Sequence, residues 1–217
     1  MTESIQDTLL QNREEAGLIL GRKLKEYEKT NAVVIGIPRS GVIVAAAIAN
    51  YLTLPLEIMP CQRIKHPAND NKNLGSVSLT EAFLPDCIEC IPRDFVAHQI
   101  AFSKNANLFE YNFYHRDRPP LPFKYKTLIV VDDLLISGET MLACLQEIKK
   151  QNPLKIIVAV PIVSAKAAQM VRAEVDDMLF LKMEPEVGSA KEYFIEWERI
   201  DRNKVKKLLD ASKKNTG

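Results

Sequence analysis

Two aspartates, Asp132 and Asp133, stand side by side directly after the apolar run Leu128-Ile129-Val130-Val131 and shortly before Ser137-Gly138-Glu139-Thr140. An unbroken apolar run with β-branched residues reads as a strand buried on both faces of a parallel sheet. Side chains alternate along a strand, so the two carboxylates cannot both enter the core. At the carboxyl end of such a strand at least one faces the crevice where open α/β sheets bind ligands. From Thr140 onward, Met141, Leu142, Leu145 and Ile148 recur at helical spacing. The backbone N–H groups of Ser137 to Thr140 are then unpaired donors at a helix start, where the dipole adds roughly half a positive charge. The hydroxyls of Ser137 and Thr140 add donors, and Gly138 can take the positive φ that wraps a loop around an anion. The turn suits a phosphate, although the same residues are compatible with simple capping of the helix that follows.

A second turn of the same kind lies upstream. Val33-Val34-Ile35-Gly36-Ile37 reads as a buried strand, Pro38-Arg39-Ser40-Gly41 as a turn, and Val42 to about Tyr51 as a small-residue helix. Gly36 and Gly41 let backbones approach closely, Ser40 offers a donor, and Arg39 carries a fork suited to phosphate oxygens. This is either a second anion cradle or an ordinary strand-to-helix turn with an exposed arginine. Further on, Gln62-Arg63-Ile64-Lys65-His66-Pro67 is basic, and residues 67–76 are rich in Asn, Asp, Lys and Gly, the composition of a mobile loop.

The elements that must hold these residues follow an alternating pattern. An N-terminal helix is predicted over 8–28, with Leu9, Ala16, Leu20, Leu24 and Tyr27 on a buried face and Arg13, Glu14, Glu15, Lys23 and Lys25 mostly on a solvated one. Leu56 to Cys61 reads as a strand that Pro60 marks as an edge or an ending. Short strands are predicted at 76–79 and 87–91, then a helix opened by Pro92 and running to about Phe113, with Phe95, Val96, Ile100 and Phe109 as core positions. After the proline-rich connector 118–122 and the central strand come strands at Ile156–Val160 and Met178–Leu181, with a helix at about 165–174 between them. A last helix spans about 202–209, with Asp201 as its N-cap. The whole is predicted to be an α/β protein with a mainly parallel central sheet, helices on both sides and right-handed crossovers.

Composition excludes several classes. At 217 residues, with 47% hydrophobic and 26% charged residues, the chain suits one globular domain. A net charge of +1 argues against a general nucleic-acid or membrane-surface binder. No apolar run is long enough to cross a membrane, and the opening MTESIQDT lacks a basic-then-apolar leader, so a cytoplasmic location is expected. Cys61, Cys87, Cys90 and Cys144 are scattered, which argues against a disulfide framework. Cys87 and Cys90 have metal-ligand spacing but no second pair, so no zinc site is expected. The three histidines form no HExxH pattern and no serine sits in a nucleophile elbow.

The string VVDDLLISGET resembles the 5-phosphoribosyl 1-diphosphate (PRPP) motif of type I phosphoribosyltransferases. The resemblance extends through Asn12 to Gly17, GIPRSGV, LGSV, IIVAVPI and Glu184-Pro185 over about positions 11–209, and is nearest to stand-alone members whose acceptor is unassigned. It implies one phosphoribosyltransferase domain over 1–217, with a core at about 30–182 and a small hood within 184–210, to which the aromatic residues 193–197 contribute either packing or a stacking surface. It also implies that Asp132 and Asp133 bind the ribose hydroxyls and that Ile136, Ser137, Gly138, Glu139 and Thr140 hold the 5′-phosphate. Pro38, Arg39, Ser40 and Gly41 take the diphosphate, Arg39 acting with the acid pair in catalysis, and Arg63 and Lys65 ride on a closing flexible loop. Mg²⁺ comes with it, held mainly by PRPP and water, as does a homodimer. The expected activity is phosphoribosyl transfer to a nitrogenous acceptor with release of diphosphate; a non-catalytic PRPP or nucleotide sensor is the alternative. Ile136 stands where the family more often has a hydroxyl or an aspartate, and Glu139 where it has Gly, Ala or Lys. A carboxylate in a phosphate loop is expected to point into solvent.

Overall fold

The computed structural model of the chain describes residues 9–85 and 91–212. The first helix is shorter than predicted: α1 covers Arg13–Lys23, with a 3-10 turn at Lys25–Tyr27. Asn12 is extended and its side chain accepts from the Glu15 N–H, so the helix starts there. Residues upstream pair with the C-terminal segment instead, Leu10 N donating to Tyr193 O at 3.0 Å and Ile195 N to Leu10 O at 2.9 Å. Leu9, expected to be buried, is therefore exposed, while Ala16, Leu20 and Leu24 are buried.

The remaining elements are β1 (Ala32–Gly36), α2 (Gly41–Leu52), β2 (Leu56–Ile58), β3 (Gln62–His66), β4 (Asn69–Val77), β5 (Ala82–Phe83), α3 (Arg93–Tyr114), β6 (Thr127–Val131), β7 (Leu134–Leu135), α4 (Glu139–Lys149), β8 (Lys155–Ser164), α5 (Ala165–Arg172), β9 (Asp177–Glu184) and α6 (Arg202–Ser212). The main sheet is parallel throughout, as the βαβ pattern predicts. β2 forms one edge beside β1, β1 pairs with β6, and β6 with the first half of β8. β7 pairs with the second half of β8, and β9 runs along β8 on its other side. Alternation along the strands divides the core. Val34, Ile129 and Ile157 pack with Leu20, Ile48 and Leu209 of α1, α2 and α6, whereas Val33, Val130 and Val158 pack with Met141, Leu145 and Ala167 of α4 and α5.

Three expectations need correction here. Residues 67–76 are not an open loop: β3 and β4 form an antiparallel hairpin with register shifts around Lys65, extended by β5. The backbone ladder supplies its order, and Leu74 and Ser76 within it are buried. Phe109 of α3 is exposed, while Ser103 and Asn107 are buried. Asn107 Nδ2 donates to Val77 O at 2.7 Å and Ser78 O at 2.8 Å, so the buried face of this helix is chosen by a polar contact to the hairpin. Finally, Cys61 and Cys144, 83 residues apart, are joined as one disulfide between the segment after β2 and α4. The predicted strand at 87–91 and the Cys87/Cys90 pair fall on residues 86–90, outside the described residues.

At the β2 edge a buried charge cluster ties the connector after α3 to the sheet. Glu57 accepts from His115 Nε2 at 2.9 Å, Arg118 at 3.0 Å and the Leu121 N–H at 2.9 Å. Among the described residues no helix is long and apolar enough to cross a membrane.

Candidate functional site

Strand ends and helix starts converge on one cavity of about 540 Å³. Its wall takes Pro38, Arg39 and Ser40 from the turn after β1, Asp132 and Asp133 from the end of β6, Ile136 from the turn before α4, Thr140 from the first turn of α4, and Arg63 from β3. Residues 189–191 and 197–200 complete it. Gly41, Ser137, Gly138, Glu139 and Lys65 do not line it. Gly41 is nevertheless part of the frame: a Cβ there would lie 2.8 Å from the Asp132 Cα and 2.8 Å from its Oδ1, so α2 approaches the acid pair as closely as backbone allows. The peptide bond between Pro38 and Arg39 is cis.

The two helices that begin at this cavity, like α3, have no side-chain cap. α1, α5 and α6 are capped by side chains: Asn12 accepts from Glu15 N, Ser164 from Ala167 N and Asp201 from Lys204 N. Ser40 and Gly138, the cap residues of α2 and α4, supply no such bond. Gly138 sits at φ +80°, the left-handed conformation expected of it. Both helix starts therefore keep N–H donors and positive dipole ends available to an anion. The turn before α4 is held by residues that its local sequence does not announce. Ser164 donates to Ile136 O at 2.7 Å, and the buried Ser76 of the hairpin shares a 3.1 Å hydrogen bond with the Thr140 hydroxyl. Glu139 does not project freely into water: one of its carboxylate oxygens is buried and, among the described residues, without a hydrogen-bond partner. The α4 backbone fixes its position, and the expectation of a solvent-facing carboxylate is corrected.

The acid pair is asymmetric. Asp133 is buried and ion-paired with Arg13, whose Nε lies 2.7 Å from its Oδ2. The Arg13 guanidinium also stands 5.3 Å over the Phe194 ring, and its Nη1 reaches Glu198 O at 3.4 Å. Arg13 was expected on a solvated face; with its side chain 5% exposed it is instead a structural member of the site. Asp132 accepts from the Asp133 N–H at 2.8 Å. Burial, and next the neighbouring Asp133 charge, push the Asp132 carboxyl well above the usual carboxylate range. The pair thus offers one carboxylate locked by a cation and one carboxyl whose ionisation is costly until positive charge appears nearby.

Arg39 is 3.7 Å from Glu110 of α3 and half exposed. Arg63, by contrast, makes no ion pair within 4 Å among the described residues, and its charge acts on the Asp132 carboxyl. The predicted aromatic cluster splits: Phe194 packs with Leu10, Leu134 and Ile162, while Trp197 faces the cavity.

Comparison with known proteins agrees with this geometry. The sequence matches the phosphoribosyl transferase domain family over residues 3–194. Two Mycobacterium tuberculosis sequences, from strains CDC 1551 and H37Rv and provisionally named phosphoribosyl transferases, are each 27% identical over 164 residues. The aligned part is 71% of this chain but 36% of each relative, so the chain spans only about that share of their length. TT1426 of Thermus thermophilus has the same fold, with a TM-score of 0.78 at 24% identity over 93% of this chain and 98% of that one. AQ2163 of Aquifex aeolicus is more distant, at 0.51 and 13% identity over 84% and 85%. A match that spans the parallel sheet, both turns and the acid pair identifies the family: this chain belongs to the phosphoribosyl transferases.

Proposed function

We propose that the protein transfers the phosphoribosyl group of magnesium-bound PRPP to a nitrogen of a small acceptor and releases diphosphate. The observation that carries this reading is one cavity lined by Pro38, Arg39 and Ser40 at one uncapped helix start, by Ile136 and Thr140 at the other, and by Asp132 and Asp133 beside them. A sugar with a phosphate at one end and a diphosphate at the other meets one positive dipole end at each anion and a hydroxyl-binding acid pair between. In the step itself the acceptor nitrogen forms a bond to C1′, the C1′–O bond breaks, and its electron pair leaves with the diphosphate.

The residues of this chain act by position and charge rather than by covalent chemistry. The N–H groups and hydroxyls of Ser137 to Thr140 hold the 5′-phosphate, with Glu139 contributing backbone only. Asp133, fixed by Arg13, orients the ribose. The Asp132 carboxylate stabilises the positive charge that develops at C1′, an interaction stronger in the transition state than in the ground state. Arg39, Ser40 and Gly41 receive the diphosphate, joined by Arg63 from the hairpin. Magnesium enters as part of the substrate, since this ion keeps most of its water and is held chiefly by phosphate oxygens.

Calorimetry with PRPP and Mg²⁺ tests the binding, and diphosphate release across a panel of nitrogen heterocycles tests the transfer. Absence of PRPP binding sinks the reading; binding without turnover of any ring would favour a sensor. Gly41→Ala gives a sharper check. The added methyl must displace backbone at Asp132, and a displacement on that scale is expected to lower turnover by about 10²-fold with the far-UV spectrum unchanged.

A further inference from the structure

The phosphoribosyl reading leaves two cations of the cavity wall without a task. Lys191 and Arg199 belong neither to the two anion-binding turns nor to the hairpin, yet both line the same cavity as Asp132. Of the other cations nearby, Arg13 is engaged by Asp133. Glu198, between Lys191 and Arg199 in the wall, is ion-paired with Lys204. Among the described residues neither Lys191 nor Arg199 has a carboxylate partner, and Lys191 Nζ rests 4.6 Å from the Trp197 ring centroid. The same cavity wall also presents Ile136, Trp197 and Ile200.

On the basis of the phosphoribosyl reading, we infer that the acceptor is a planar nitrogen heterocycle carrying a carboxylate, packed against Trp197 with its acid group held by Arg199 and Lys191. An indole binds a flat ring, and the Lys191 ammonium over that indole, with Arg199 on the same wall, selects a ring that is negatively charged. A guanidinium fork takes a carboxylate with two parallel hydrogen bonds, which a carbonyl or amide does not match. PRPP does not need these groups, because its two anionic ends have the helix starts, Arg39 and Arg63. The wall also holds Ile136, whose side chain accepts no proton. A pyridine-type nitrogen attacks C1′ with its own lone pair and loses no proton; a ring N–H passes its proton to water as the C1′–O pair departs with diphosphate. The family match ends at residue 194, so Trp197 and Arg199 lie in a part of the wall beyond it.

The test uses rings that differ only in the acid group: pyridine-3-carboxylate against pyridine-3-carboxamide, and uracil-6-carboxylate against uracil, each with the full chain, PRPP and Mg²⁺. Diphosphate release is expected to favour an acid ring over its neutral partner by about 10–100-fold in kcat/KM, the range of a charge-assisted pair of hydrogen bonds. Arg199→Gln and Lys191→Gln should each raise the KM for the acid ring about tenfold and leave the KM for PRPP and the neutral ring unchanged. Equal or better use of the neutral rings overturns the proposal, as does a variant that raises the KM for PRPP instead, which would assign the cations to its phosphates. Where no ring is turned over, the acid rings must still bind the PRPP-saturated protein more tightly than their partners, and equal or weaker binding overturns the proposal equally. A wild-type protein that binds no PRPP places the failure in the phosphoribosyl reading.

Discussion

Asp132→Asn is expected to lower phosphoribosyl transfer by about 10²–10³-fold while leaving the protein at least as stable as the wild type, the activity loss being that of one removed charge-stabilising group. The Asp132 carboxylate is desolvated and repelled by Asp133, so its removal relieves a cost in the folded state, and an asparagine Oδ1 can still accept from the Asp133 N–H. Asp133→Asn is expected to act on both quantities. It strands the Arg13 guanidinium, almost wholly buried, without its counter-charge, and breaking one side of such a pair costs about 3–5 kcal/mol. A further Arg13→Met substitution in the Asp133→Asn background should recover most of that stability and none of the activity, because the lone buried charge is gone while the sugar site stays incomplete. Urea denaturation and diphosphate release on the four proteins decide the matter. Full turnover by the Asp132 variant would remove the acid pair from catalysis, and wild-type stability in the Asp133 variant would mean that Arg13 is not bound to it in solution.

The asymmetry of that pair marks where sequence reading stops. The strands at Val33–Ile37 and Leu128–Val131 were legible because burial on both faces leaves an apolar run, and the two turns were legible because an anion needs glycine, hydroxyls and a helix start in a short span. Arg13 was not. A buried arginine has the same local signature as a surface one, and its partners lie far along the chain, a carboxylate 120 residues away and the Phe194 ring beyond it. The face of α3 was inverted for a related reason: Asn107 is buried because two carbonyls of the hairpin require it, while Phe109 is left outside. The hairpin itself was hidden by polar composition, since a backbone ladder leaves little trace in side-chain chemistry. Ser76 and Ser164, which brace the turn before α4, carry no signal beyond being serines. Trp197 could have been found from its aromatic neighbours, but only the fold separates it from Phe194.

Glu57 is the residue on which the stability of the β2 edge should depend most. Its carboxylate is fully buried, which taken alone raises its pKa. The hydrogen bond from His115 and the charge of Arg118 outweigh that burial and hold it below its ordinary value of 4.5. A carboxylate lowered in the folded state contributes stability that is present above its unfolded pKa and lost as the pH falls through the folded one. Glu57→Gln removes the charge and leaves Arg118, itself buried, facing a neutral amide; the expected loss at neutral pH is about 3–5 kcal/mol. Below pH 4.5 the wild type begins to surrender the same contribution by protonation, so the gap between the two proteins should narrow with acid. Denaturant titrations at neutral pH and across the acid range measure both quantities. A gap that is small at neutral pH, or that stays constant through the acid range, would show that His115 and Arg118 do not hold Glu57 ionised, and that the connector after α3 is fastened to the sheet by packing alone.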